Sequence, residues 1–116
     1  MSTSINGFYA AYLTGNGGQG LAMVIFRNGK IVGVDVGGAK YDGIYSGADK
    51  GFAMKISISF PANTPLVQGG TTGIDEDNSV LDFHLPTDFL SQPFIRVNAK
   101  HGPVNVKLVK LRELND

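Results

Sequence analysis

The sequence lacks cysteine and tryptophan, carries no net charge and contains no long hydrophobic run. Without cysteine, disulfides and thiolate chemistry are excluded, which suits a reducing compartment. The 10 basic and 10 acidic residues balance, so bulk charge draws the chain neither to nucleic acid nor to a membrane surface. No apolar run approaches the ~20 residues of a transmembrane helix, and the N-terminus shows no signal-peptide pattern. We expect a cytoplasmic protein without direct nucleic-acid or membrane contacts.

Glycine, in contrast, is abundant, with 16 of 116 residues, about twice its usual share of ~7%. Glycine disfavours helices and suits tight turns, bulges and barrel corners. A chain of this length forms one domain whose core needs neither metal nor disulfide. The composition therefore favours a single all-β domain over residues 1–116.

Alternation of apolar and polar residues is clearest in "GFAMKISISF", and it predicts a half-buried strand. Its inward face carries Phe52, Met54, Ile56, Ile58 and Phe60. Similar alternation recurs in "SVLDFHLP", "PFIRVNAKHG" and "VNVKLVKL". A count of about eight short strands predicts a small antiparallel barrel, with a sandwich as the alternative. Closure into a barrel would remove the exposed sheet edges.

Turn residues divide these strands. Asn28-Gly29 supplies the positive φ angles of a type I′ hairpin. The stretch "PANTPLVQGGTTGIDEDN" is predicted to be the longest loop, with one short edge strand around 66–68. Val109 and Leu111 change to the opposite face of the last strand, which predicts a bulge or a second contact on the outer face. These two outward positions are the candidates for a dimer contact.

The bulky inward residues between Phe52 and Phe60 can have one of two roles in a barrel of eight strands. They either fill its centre or surround one small apolar ligand. In a chain this short we expect a filled core, with a ligand-holding lumen as the alternative.

Gly15, Gly17 and Gly20 spell G-x-G-x-x-G, and Asp35 follows at the distance of a dinucleotide-binding fingerprint. Such a site needs a helix after the third glycine, with its N-terminus facing the pyrophosphate. The apolar residues 24–26 favour a strand, and the rest of the chain shows β alternation. We interpret the glycine-rich stretch as a loop between the first two strands and expect no cofactor.

Asp82 and His84 lie two positions apart on one strand face, where a carboxylate can orient an imidazole for catalysis or metal binding. The sequence offers no third ligand beside them. We therefore interpret the pair as solvent-facing residues and expect neither enzymatic activity nor a metal site; an enzyme using this pair is the third hypothesis.

Asp75, Glu76 and Asp77 form the one dense charge run. The run fits an acidic docking patch for a basic partner or an oxygen-rich cation site. The simpler interpretation is a solvated loop that keeps the sheet soluble.

The first half of the chain reads "NGFYAAYLTG" and then "GLAMVIFRNGKIVGVDVGGAKYDGIYSG". The hairpin Asn28-Gly29, the pair Gly33-x-Asp35 and the run 41–45 (Tyr-x-Gly-x-Tyr) occur there in order. In these features the chain resembles the GrlR-like negative regulators of bacterial type III secretion, over roughly residues 5–60. The resemblance implies a lipocalin-like β-barrel that forms a homodimer and binds a helix-turn-helix transcriptional activator.

In that family an acidic surface motif, Glu-Asp-Glu-Asp, makes the contact with the activator. At the corresponding position this chain reads "SGADKG", where Asp49 is the one acidic residue. The partner-binding candidates are therefore Asp49 together with Asp75, Glu76 and Asp77, which lie in a different loop. The first functional hypothesis is a non-enzymatic regulator that binds a protein partner, and the second is a barrel that binds a small apolar ligand.

Overall fold

Eight antiparallel strands form one curled sheet in the structure, a computed structural model that describes residues 5–114. The strands are β1 (Gly7–Gly15), β2 (Gly18–Arg27), β3 (Lys30–Asp35), β4 (Lys40–Ala48), β5 (Gly51–Phe60), β6 (Asp77–Pro86), β7 (Ile95–Ala99) and β8 (Gly102–Glu113). Their order is β6-β5-β4-β3-β2-β1-β8-β7. The sheet curls until β6 and β7 approach each other, which gives a nearly closed barrel and confirms the predicted fold class.

The chain reverses at the two ends of this barrel. The upper end carries the turns 16–17 and 36–39, the long link 61–76 and the turn 100–101. The lower end carries the turns 28–29 and 49–50 and the link 87–94. Within the described residues there is no helix at all, and hence none long and apolar enough to cross a membrane.

The hairpin between β2 and β3 is confirmed. Arg27 pairs with Lys30, so the turn has two residues, and Asn28 and Gly29 take φ angles of 48° and 85°. Positive φ at both central positions defines the type I′ turn, whose twist matches that of the flanking strands.

The predicted loop over the glycine-rich stretch is wrong. Gly15 pairs with Gly18, so only Asn16 and Gly17 join the two strands. The glycines at 15, 18 and 20 lie within β1 and β2. They keep strand geometry because hydrogen-bonded neighbours hold their backbones.

The predicted bulge near the C-terminus is confirmed. On β1 the consecutive residues Phe8 and Tyr9 pair with Arg112 and Lys110, and the register shifts between them. Leu111 is thus the extra residue on β8, and its side chain is exposed. Val109 lies before the bulge, opposite Ala10, and faces outward by ordinary strand alternation.

An aromatic cluster fills the lower half of the barrel. Ring centroids lie 4.8 Å apart for Tyr9 and Phe26, 5.5 Å for Phe26 and Tyr45, 6.2 Å for Tyr45 and Phe52, and 6.1 Å for Tyr9 and Phe89. Such tilted and edge-on pairs are the favoured arrangement of aromatic rings in protein cores. We call these five residues the aromatic plug.

The link 61–76, which we call the cap, covers the upper end. The predicted edge strand at 66–68 is wrong, because the cap folds back on itself at a bridge between Pro65 and Thr71. The Thr72 hydroxyl donates to the Pro61 carbonyl at 2.7 Å and accepts from the Thr64 amide at 2.7 Å. Leu66 is buried, so the segment points an apolar side chain into the barrel mouth.

Candidate functional site

An apolar cavity of about 220 Å³ occupies the upper half of the barrel, between the aromatic plug and the cap. Its walls are inward side chains of several strands, among them Leu13, Ile58, Leu81, Val97 and Val106. The expectation of a filled core is therefore wrong for this half. On β1 and β2 the residues bordering the cavity include Ala11, Gly20 and Ala22, which are too small to reach across the lumen.

The five inward residues of β5 divide between the two halves. Met54, Ile56, Ile58 and Phe60 border the cavity. Phe52 lies at the lower end, where it packs edge-on against Tyr45 in the aromatic plug. Alternation along the strand correctly identified the inward face, but it contains no information on which positions meet space and which meet another ring.

The G-x-G-x-x-G glycines form the seat on which the cap rests. The Gly17 amide donates to the Val67 carbonyl at 2.7 Å. A Cβ on Gly15 would collide with the Val67 backbone, and one on Gly17 with the backbone of Gly69. A Cβ on Gly20 would press on the Val67 side chain at 3.0 Å. The motif therefore permits close backbone approach, and no helix follows it to hold a pyrophosphate.

One carboxylate, Asp35, borders the cavity at its upper end. Its Oδ1 accepts from the amides of Gly37 and Ala39, both at 2.9 Å. Its Oδ2 accepts from the Tyr41 hydroxyl at 2.9 Å. These bonds close the turn between β3 and β4 and fix the carboxylate in place.

Tyr41 also borders the cavity. Burial, together with the charge of Asp35 and the hydrogen bond to it, raises the pKa of Tyr41 well above its ordinary value. The hydroxyl therefore stays protonated and donates to Asp35 across the neutral range.

The cavity reaches the surface beside this carboxylate. Gln19, Val36 and Gly37 border it and are themselves exposed. These residues form the rim of the opening, between the start of β2 and the β3–β4 turn. Asp35 borders the cavity beside these exposed residues.

The three residues of the acidic run differ in their surroundings. Asp75 and Glu76 are exposed, whereas Asp77 contacts the β7–β8 turn. Its two oxygens lie 2.7 Å from the Lys100 Nζ and 2.6 Å from the His101 Nε2. The hydrogen bonds from Lys100 and His101 lower the pKa of Asp77, Lys100 having the larger effect.

Because no hydrogen-bonded ladder joins β6 and β7 in the described chain, these contacts bridge the open seam of the barrel. No pattern in the sequence indicates the contact between Asp77 and His101, which are 24 positions apart. Asp49 lies in the β4–β5 turn at the lower end. The four predicted partner-binding residues therefore do not form one surface.

Asp82 and His84 lie on the outer face of β6, exposed and pointing away from the cavity. Asp82 is opposite Lys55 in the register with β5. Among residues 5–114 no group of three or more His, Cys, Asp or Glu side chains could hold a metal ion.

Apolar side chains also gather on the outer face of β8, β1, β2 and β3. Register pairs place Val109 beside Ala10, Ala10 beside Met23, and Met23 beside Val34. Ala10 is only 4% exposed although it points outward, because its neighbours cover it. We call this surface the outer apolar face: Ala10, Tyr12, Met23, Val32, Val34 and Val109.

In comparisons with known proteins, no family model, no curated protein and no solved structure matches this chain.

Proposed function

We propose that this protein is a non-enzymatic barrel that binds a small apolar molecule in its upper half. The observation that carries the proposal is the cavity of about 220 Å³ beside the rim. An apolar cavity of roughly 150 Å³ in another protein is dry and takes up benzene. A ligand of ring size would therefore fill this one and bury its surface against aliphatic side chains.

The packing below the cavity supports a binding role. The aromatic plug closes the lower end, so the lumen is a pocket with one opening on the rim side. The side chains that border it are mostly aliphatic, and water in such surroundings lacks the two to four polar partners it needs. Binding an apolar guest therefore exchanges empty space for dispersion contacts.

Two methionines provide a test. Met54 borders the cavity, and Met23 lies on the outer apolar face. We would label methionine methyl groups with ¹³C and titrate the full chain with toluene. Binding in the lumen shifts the Met54 methyl signal in a saturable way and leaves Met23 unchanged; a Met54 signal that does not move contradicts the proposal.

A matched pair of substitutions locates the site. Leu81 borders the cavity, and its neighbour Val80 is exposed on the outer face. Leu81→Trp should fill the lumen and abolish toluene binding, whereas Val80→Trp should leave binding unchanged. Equal loss in both variants would indicate general disruption of the barrel.

A second candidate is the protein-binding regulator that the resemblance to GrlR-like proteins suggests: a homodimer that binds a helix-turn-helix activator, in the setting of type III secretion. The outer apolar face favours it, because Val32 and Val34 are more than half exposed at 53% and 55%. Contiguous apolar surface of this kind is typical of protein interaction sites.

The test of this candidate is affinity capture from the native cell lysate with the tagged chain, read by mass spectrometry. Enrichment of a helix-turn-helix protein, lost in Val34→Lys, would assign the contact to the outer apolar face. Loss in Asp75→Ala with Glu76→Ala would assign it to the acidic run, and Val80→Lys is the control. No specific partner over several salt concentrations would overturn this candidate.

A further inference from the structure

The ligand class can be narrowed from the charges around the cavity, an inference that rests on the proposed lumen binding. Two ionisable side chains, Asp35 and Tyr41, border the cavity, and no lysine, arginine or histidine of the described chain does so. The amides of Gln19 and Gln68 near the rim carry no charge. A carboxylate ligand would therefore lose its hydration without a cation to replace it, and burying an unpaired charge is costly.

The negative charge of Asp35 also repels a carboxylate ligand, in addition to the cost of its lost hydration. Three hydrogen bonds hold its carboxylate beside the cavity, so it cannot turn away from an anion entering past the rim. The Tyr41 hydroxyl donates its hydrogen bond to Asp35, so it does not offer one to an entering carboxylate.

The same carboxylate offers one acceptor position. Two carboxylate oxygens provide about four lone-pair sites, and Gly37, Ala39 and Tyr41 use three of them. A single N–H or O–H donor on the ligand matches the site that is left. An ammonium group brings several donors and needs several acceptors, which the aliphatic walls do not supply.

We propose that the cavity selects uncharged, ring-sized apolar molecules that carry one hydrogen-bond donor, and that Asp35 is the group that receives this donor and rejects carboxylates.

Three probes of nearly equal size test the proposal: indole, which has one N–H donor; benzothiophene, which has none; and benzoate, which is an anion. Each is titrated into the full-length chain at pH 7, with the Met54 methyl signal as the reporter. We expect indole to bind more tightly than benzothiophene, and benzoate to bind at least about tenfold more weakly than indole. Benzoate binding as tightly as indole would overturn the charge selection, and equal affinity for indole and benzothiophene would overturn the donor.

Substitution of the carboxylate assigns the effect. Asp35→Asn keeps the size of the side chain and removes its charge, so the ratio of benzoate to indole dissociation constants should fall severalfold. Tyr41→Phe keeps the charge of Asp35 and frees the lone pair that the hydroxyl used, so that ratio should not fall. An unchanged ratio in Asp35→Asn would overturn the role of Asp35.

The same titrations distinguish a wrong ligand selectivity from the absence of any binding in the lumen. If none of the three probes moves the Met54 signal, the proposed binding function fails and the selectivity fails with it. If benzothiophene and benzoate bind equally and saturably, the lumen is a ligand site but the charge selection is wrong.

Discussion

At the scale of single residues, the Tyr9 hydroxyl shows how much one buried polar group contributes. It donates to the Ile5 carbonyl at 2.7 Å from within the aromatic plug. Tyr9→Phe should lower the free energy of unfolding by about 1–3 kcal/mol, because the buried carbonyl loses its partner. Urea denaturation measures this loss. Tyr12→Phe is the control, since Tyr12 is half exposed on the outer apolar face and should change stability little.

Tyr9 also predicts a pH dependence. Burial first, and then the charges of Glu113 and Tyr45, raise the pKa of Tyr9 to about 12. An unfolded tyrosine ionises at about pH 10, so the folded state keeps the proton to a higher pH. The contribution to stability is complete below pH 10 and is lost as the pH rises to about 12. In Tyr9→Phe the fall of unfolding free energy across this range should be shallower than in the native chain.

Asp77 predicts the opposite, acid-side dependence. Since its pKa is lowered by Lys100 and His101, its contribution is present above the ordinary aspartate pKa of ~3.9 and is lost as the pH falls through the lowered value. Asp77→Asn should therefore reduce stability at neutral pH and flatten the decline in acid. Thermal unfolding from pH 7 to 2 measures both, and Asp75→Asn, at an exposed position of the same run, should behave like the native chain.

At the scale of elements, the fit between the cap and the β1–β2 hairpin depends on missing side chains. Gly17→Ala places a Cβ against the backbone of Gly69, so the cap must move and the bond from Gly17 to Val67 lengthens. Amide hydrogen exchange in the cap should accelerate, above all at Leu66 and Thr72, whose amides bond within it. Gly47→Ala is the matched control, because nothing lies within 4 Å of a Cβ there. Unchanged exchange in Gly17→Ala would contradict this role.

Local elements could be predicted from the sequence, and contacts between distant elements could not. Alternation from Phe52 to Phe60 and the turn at Asn28-Gly29 depend on neighbours in the chain, so both predictions are confirmed. The seat formed by Gly15 and Gly17 depends on the Val67 backbone some fifty positions away, and no pattern near the glycines indicates it.

The cavity was predicted only as the alternative to a filled core, for a related reason. Its volume follows from small residues on β1 and β2 facing the bulky residues of β5 across the barrel, and that juxtaposition exists only once the sheet has curled. Single inward positions such as Ala11 and Ala22 look like ordinary core alanines in the sequence. Of the residues that border the cavity, the sequence therefore predicted only those of β5.

At the scale of the whole molecule, the barrel has a filled half and a hollow half, and equal substitutions should differ in cost between them. Ile31 is 1% exposed in the core beside the aromatic plug, whereas Ile56 borders the cavity. Buried isoleucine-to-alanine changes cost about 2–5 kcal/mol. The loss of unfolding free energy should lie near the upper limit of this range for Ile31→Ala and near or below the lower limit for Ile56→Ala. Chemical denaturation measures both losses. Equal costs would mean that the upper half is packed as tightly as the lower.

The division into two halves also determines how the protein responds to compression. Hydrostatic pressure favours states that eliminate internal voids, and the volume decrease on unfolding scales with the void that is lost. In this barrel the cavity of about 220 Å³ lies at one end, while tilted and edge-on aromatic rings fill the other. Pressure should therefore disrupt the cap and the rim before the aromatic plug. A ligand in the lumen should raise the pressure at which this half of the barrel opens.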